Sequence, residues 1–182
     1  MKNNSAQDYE SGKNLAAGLV VQKGHQFTLT VPESESQLDQ ADNQEFETQR
    51  VLYVEDNLSN ARLMTAIFRA QKHLELCVAT TAGQGWEMVN LIDPSLVLLD
   101  CNLPDKPGLE LLLEFKRDER LRSIPVIVVS ADATAGQQQR MLEAGALAYV
   151  TKPFNIVKFW TVLGQFVNLA PTTAPSQFQA TA

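Results

Sequence analysis

"SLVLLDCNLPDKPG", residues 95–108, runs from a near-continuous apolar stretch into Asp100 and then into a segment stiffened by Pro104 and Pro107. Proline fixes its own φ, lacks an N–H donor and biases the preceding residue away from helix, so the stretch after Asp100 is a loop. A short run apolar at every position reads as a strand buried on both faces, as in a parallel sheet covered by helices on both sides. The Asp therefore stands at the C-terminal end of a buried strand. Open α/β sheets place their sites outside those ends.

Working outward, the same alternation recurs. "RVLYVE" (50–55), "LELCVA" (74–79), "PVIVVS" (125–130) and "AYVT" (148–151) are strand-like, and "LELCVA" alternates as an edge strand does. Between them lie helical patterns. "SNARLMTAIFRAQ" puts Ala61, Met64, Ile67 and Phe68 on one face, and "GQGWEMVN" is a short helix. "GLELLLEFKRDERL" carries Leu109, Leu112, Leu113 and Phe115. "AGQQQRMLEAG" closes on Gly145, where a left-handed cap is wanted. "NIVKFWTVLGQFV" puts Ile156, Phe159, Trp160, Leu163 and Phe166 at helical spacing. Five βα units in strict alternation predict a doubly wound α/β fold with a parallel sheet.

Of 182 residues, 45% are apolar and 20% charged, which is a globular composition, and the prior is one domain with tails. Apolar runs fall far short of the roughly 18–20 residues of a membrane span. "MKNNSAQDYE" has no apolar core, so no secretory signal is expected, and Cys77 and Cys101 read as reduced thiols in a cytoplasmic protein. Residues 1–49 hold three lysines against eight acids, and the remaining 133 hold 12 bases against 13 acids. Most of the net charge of −6 thus belongs to the N-terminal segment, and the rest is nearly neutral. No basic block speaks for nucleic acid. Residues 33–49 read as an acidic linker, 169–182 as a disordered tail, and "HQFTLTV" (25–31) as a lone strand.

The strand ends carry Glu55 and Asp56, Asp100, Ser130 and Lys152. Carboxylates within about 4–6 Å repel, and a hard divalent cation such as Mg2+ relieves this with carboxylates, carbonyls and waters. Mg2+ beside a lysine is also what stabilises charge on a transferring phosphoryl group, and a carboxylate can be its acceptor. Ser130 could hydrogen-bond a phosphate oxygen and Lys152 could pair with another. Taken singly, each has a plainer reading: Glu55 and Asp56 as the start of a helix, Asp100 as a turn residue, Ser130 as a strand end, Lys152 as solvated surface. Together they make one mouth.

Residues 50–168 resemble a response-regulator receiver domain of two-component signalling. The matching motifs are "VLYVEDN", "LVLLDCNLPDKPGLEL", "VIVVSADAT" and "AYVTKPF", separated by 44 residues from Asp56 to Asp100, 30 more to Ser130 and 22 more to Lys152. The resemblance implies a flavodoxin-like, five-stranded parallel sheet with helices on both faces. It implies phosphorylation of Asp100 from a phosphohistidine, with Mg2+ held by Glu55, Asp56, Asp100 and the backbone carbonyl of Asn102. Ser130 and Lys152 would bind the phosphoryl group, Ser130 and Tyr149 would form the switch, and Lys152–Pro153 would be a cis peptide bond. The partners implied are a sensor histidine kinase or a histidine phosphotransfer protein, with the state read on the outer surface of the fourth helix and fifth strand of the domain. No kinase catalytic domain is expected. "GHQFTLTVP" resembles the last strand of a histidine-kinase ATP-binding domain, so an alternative reading takes residues 1–32 as a remnant of that domain and the chain as the C-terminal part of a hybrid kinase. A degenerate receiver that only binds is the other reading. A phosphatase resembling the haloacid dehalogenase type would need an acid where Asn102 stands. His73 is expected to be exposed and inert, Cys101 to be buried, and Trp86 and Trp160 to pack helices.

Overall fold

The computed structural model describes residues 19–21 and 47–169. Strands are β1 (Leu19–Val21), β2 (Gln49–Val54), β3 (Leu74–Ala79), β4 (Leu96–Leu99), β5 (Val126–Ser130) and β6 (Ala148–Thr151). Helices are α1 (Leu58–Phe68), α2 (Ala82–Ile92), α3 (Gly108–Arg117), α4 (Ala135–Glu143) and α5 (Ile156–Leu163). They form one sheet in the order β1-β6-β5-β4-β2-β3. Strands β2 to β6 are parallel, as expected of the flavodoxin-like fold, and β3 is an edge strand as its alternation suggested. The other edge differs from expectation. A sixth strand, β1, pairs antiparallel with β6, Leu19 opposite Val150 and Val21 opposite Ala148. The strand expected at 25–31 lies outside the described residues.

Successive side chains of a strand point to opposite faces, and here both faces are dry. Leu52, Val54, Val97, Leu99, Val126 and Val128 face one core, closed by Val89 of α2, Leu111, Leu112 and Phe115 of α3, and Met141 of α4. Val51, Tyr53, Leu96, Leu98, Ile127 and Val129 face the other, closed by Met64, Ile67 and Phe68 of α1 and Phe159, Val162 and Leu163 of α5. That division explains why the central strands read as unbroken apolar runs. Trp86 stacks on Phe115, and Trp160 lies against Phe68 and Phe159, so both indoles pack helices.

The buried faces of α3 and α5 are narrower than their apolar patterns, and the reading of His73 is corrected. Helix α3 buries Gly108, Leu111, Leu112 and Phe115, while Leu109 and Leu113 are only partly buried. Its first residue packs against the backbone, and that contact sets the phase of the helix. In α5 the buried set is Phe159, Val162 and Leu163, with Ile156 half exposed. His73 is buried, not exposed: its Nε2 meets the Asn168 carbonyl, and the Asn168 N–H donates to Gln49 Oε1 at 2.7 Å. The chain after α5 thus closes over the start of β2 and β3. Gly145 takes φ +106° after α4, as its position suggested.

Candidate functional site

Strand β2 delivers Glu55, whose N–H donates to the Ala79 carbonyl at 2.9 Å and continues the ladder past the last strand residue. Its side chain shares a face with Tyr53, two residues earlier. The Tyr53 hydroxyl donates to Glu55 Oε2 at 2.6 Å, and Asn60 Nδ2 of α1 donates to Oε1 at 2.8 Å. Asn60 is in place because α1 starts at a defined point. Asn57 is the N-cap, its Oδ1 accepting the N–H groups of Ser59 and Asn60 at 2.9 and 3.1 Å. The helix start therefore falls to Asn57, and neither Glu55 nor Asp56 caps it. Glu55 is buried and Asp56 exposed.

Strand β4 delivers Asp100, whose N–H donates to the Val54 carbonyl at 3.0 Å. Lys152, just beyond β6, reaches between the acids. Its Nζ donates to Asp100 Oδ2 at 2.8 Å and to Glu55 Oε2. The ammonium is 14% exposed, against 1% and 10% for the two carboxylates, so little water screens the group. Asp100 Oδ1 takes the Asn102 N–H at 3.2 Å, a local turn that aims the carboxylate. The loop then doubles back. Gly108 N–H donates to the Cys101 carbonyl at 2.8 Å, and a Cβ on Gly108 would lie 2.1 Å from the Asp100 carbonyl oxygen. Only glycine fits that approach.

The same loop is fastened to α2. Asp105 accepts the N–H groups of Ala82 and Gly83, both at 2.8 Å; the Gly83 N–H first, opposed by burial and helped by the Ala82 N–H, holds its carboxyl below the usual range. Ser130, the last residue of β5, is fully buried, and its Oγ accepts the Asp132 N–H at 3.4 Å. The Lys152 N–H donates to the Ser130 carbonyl at 2.8 Å, and the Lys152–Pro153 bond is cis. Tyr149 is turned into the core, donating to the Asp132 carbonyl at 2.6 Å, with the Cys101 sulfur 3.4 Å from its oxygen. Burial first, then the neighbouring Glu55 carboxylate for Tyr53 and the neighbouring Cys101 for Tyr149, push both phenols up. Both remain proton donors at neutral pH.

The structure thus brings Glu55, Asp100 and Lys152 into direct contact and sets Asp56, Asn102, Ser130 and Tyr149 on the loops and strand ends around them. The sequence reading missed Tyr53, Asn60, Asp105 and Gly108. A tyrosine two residues before the acid in "VLYVE" is on the same strand face and could have been found; the other three depend on where loops return. Among the described residues no three Asp, Glu, His or Cys side chains converge as a closed metal cage.

Residues 51–163 match the family model described as the response regulator receiver domain. The chain belongs to the response regulator receiver family. The polar-differentiation response regulator DivK of Brucella ovis is 35% identical over 113 residues, covering 62% of this chain and 90% of its own. The receiver domain of the sensor histidine kinase PA1611 from Pseudomonas aeruginosa PAO1, with a magnesium ion coordinated in its active site cleft, is 27% identical. It aligns at TM-score 0.60 over 65% of this chain and 96% of that one. The Mn2+-bound form of the response regulator Rcp1 is 26% identical, at TM-score 0.58 over 68% and 99%.

This receiver also has an apolar groove of about 460 Å³ beside its site, running from Asn60 and Lys152 past Leu63, Met64, Phe154 and Ile156. No helix among its described residues is long and apolar enough to cross a membrane.

Proposed function

We propose that this receiver takes a phosphoryl group from a phosphohistidine onto Asp100, with Mg2+, and switches a protein-interaction surface. The observation that carries the reading is the Lys152 ammonium held between Asp100 and Glu55 at the C-terminal edge of the sheet. It orients the Asp100 carboxylate, as an acceptor of phosphorus must be oriented. In the step, the bond from phosphorus to an imidazole nitrogen breaks as the bond to an Asp100 oxygen forms. The electron pair returns to that nitrogen, and the ring, protonated on its other nitrogen, leaves as neutral imidazole.

The residues present suit a hard cation. Asp56 is exposed at the mouth, Asp100 Oδ1 carries one N–H at 3.2 Å, and Asn102 is exposed beside them. Both oxygens of Glu55 already accept protein donors, so of the four groups (Glu55, Asp56, Asp100 and the Asn102 carbonyl) it has the fewest lone pairs to spare. An open half-site of carboxylates, a carbonyl and waters is the usual way Mg2+ is held. Bound there, it would supply charge neutralisation at the phosphoryl oxygens. The magnesium- and manganese-bound relatives support that assignment.

Once Asp100 is modified, Ser130 Oγ and the Lys152 ammonium hydrogen-bond the new oxygens, and Tyr149 follows the loop that carries Ser130. Contacts made in one form only are what shifts a two-state population. The donor is a sensor histidine kinase or a histidine phosphotransfer protein, and the receiver unit spans residues 50–168. The kinship with a sensor-kinase receiver supports a hybrid-kinase origin for the chain.

The test is intact mass after incubation with Mg2+ and acetyl phosphate, beside Asp100→Asn. One phosphoryl adduct, absent from the variant and absent without Mg2+, is expected. A folded protein that takes no phosphoryl group from acetyl phosphate or from a phosphohistidine donor would leave only a binding module.

A further inference from the structure

Strand β6 ends the parallel sheet, and its outer edge would otherwise present bare N–H and C=O groups, a template for another strand. The Lys152 N–H donates to the Ser130 carbonyl at 2.8 Å, with Thr151 in register opposite Ser130. By alternation the Val150 N–H also faces β5, and the N–H and C=O groups of Tyr149 face outward. Tyr149 is the residue opposite Val20. We propose that the outer edge of β6 is a strand-accepting surface that this chain fills with its own residues 19–21, and that this pairing holds the unmodified form of the receiver.

The coupling follows from what holds β6. One residue, Tyr149, opposite Val20, is tied by its hydroxyl to the Asp132 carbonyl and lies against Cys101, the neighbour of Asp100. Two residues beyond Val150, Lys152 is tied by its N–H to Ser130 and by its ammonium to Asp100. Ser130 and Lys152, the groups a phosphoryl on Asp100 would recruit, are thus fastened to the strand that β1 pairs with. The register seen is matched to β6 with Lys152 on an unmodified Asp100. Drawing Ser130 and Lys152 onto a phosphoryl group shifts β6 against β1 and weakens a pairing only three residues long. Linkage makes the effect reciprocal: a docked β1 opposes modification, and its loss favours it. The length of chain permits this. The 27 residues from 22 to 48 join β1 to β2. They can reach at most about 90 Å at roughly 3.5 Å per residue. The crossing from β1 over β6, β5 and β4 to β2 is about 19 Å at roughly 4.8 Å per strand. Strand β1 can leave the edge without moving the core. It lies on the surface expected to report the state of Asp100, so its departure is what uncovers that surface.

The coupling rests on the receiver reading of Asp100, and the test separates the two. Hydrogen exchange of the peptide carrying Ala148–Val150 is followed in the full chain, unmodified and after Mg2+ and acetyl phosphate, with intact mass taken on the same samples. The variant Val20→Pro removes the N–H group that faces β6, and Val20→Ala keeps it. Exchange at least tenfold faster in the proline variant but not in the alanine one is expected. So is a similar acceleration in the natural chain once the adduct forms, and severalfold faster adduct formation in the proline variant. Exchange unaffected by the proline overturns the pairing. Exchange that responds to the proline but not to the adduct overturns the coupling and leaves a static clip. Protection that rises with protein concentration overturns the intramolecular arrangement in favour of strand exchange between copies. Absence of any adduct sinks the receiver reading and the coupling with it, while the proline arm still reports the pairing.

Discussion

The position of Gly108 decides whether the loop carrying Asp100 can close. A side chain there has no room, since even its first carbon would sit 2.1 Å from the Asp100 carbonyl oxygen, a backbone atom that cannot rotate away. Gly108→Ala is expected to cost about 1–3 kcal/mol, the range of overpacked cores, read as a lower denaturant midpoint at unchanged slope. It should also slow phosphorylation of Asp100; a variant with full stability and full rate would show the loop closing some other way. Lys152 poses the opposite problem, for removing it leaves two buried carboxylates facing each other. Lys152→Met is expected to cost about 3 kcal/mol, the cost of breaking a buried pair, and clearly less in an Asp100→Asn background, where one charge is already gone. Equal costs in both backgrounds would mean that the two side chains do not act as a pair. The acids, the hydroxyl and the lysine were legible because each stands at a strand end that hydrophobic pattern alone locates. Asn60 was not, because an asparagine in the first turn of a helix reads as a capping residue until its amide is seen on Glu55.

Elements were legible where burial on both faces leaves no ambiguity, as in β2, β4 and β5, and less so where a phase depends on one backbone contact. Helix α3 shows this: the pattern around Leu109 and Leu113 is as good a stripe as the real one, and Gly108 packing under Asp100 selects the other. Strand β1 could not be read at all, since three apolar residues carry no period. Between elements, Asp105 joins the Asp100 loop to the start of α2. Its carboxyl is held below the ordinary value of 3.8, chiefly by the Gly83 N–H. A carboxylate with a lower pKa folded than unfolded adds stability above the unfolded value and loses it as the pH falls through the folded one. Asp105→Ala should therefore cost about 1 kcal/mol near neutral pH, typical of a lost cap, and the difference should shrink once the pH is well below 3.8. Urea titrations of both proteins at about pH 6 and about pH 3 check this. A gap that persists at the acid end would assign the loss to packing rather than to the charge.

Seen as a whole, the molecule places its site and its exposed apolar surface on the same side. Of the large apolar side chains most open to solvent, Leu58 and Leu63 are on α1 and Ile156 and Val157 on α5, with Leu91 alone on α2. The groove between α1 and α5 ends at Lys152, whose ammonium is on Asp100. A contiguous apolar patch marks an interaction surface more often than a single exposed leucine does. For a receiver supplied by another protein, the partner that must come nearest this end of the groove is the phosphohistidine donor. Leu63 is 58% exposed and Ile156 51%, so replacing either with Asp should leave the fold and its melting point nearly unchanged. The two phosphoryl sources then part company. Transfer from a purified phosphohistidine protein should slow by about tenfold or more, the scale of a lost apolar anchor, while phosphorylation by acetyl phosphate, which needs no docking, should hold within about twofold. If both rates fell together, the substitutions would have disturbed Lys152 through the shared groove; if neither fell, the donor would approach over another face.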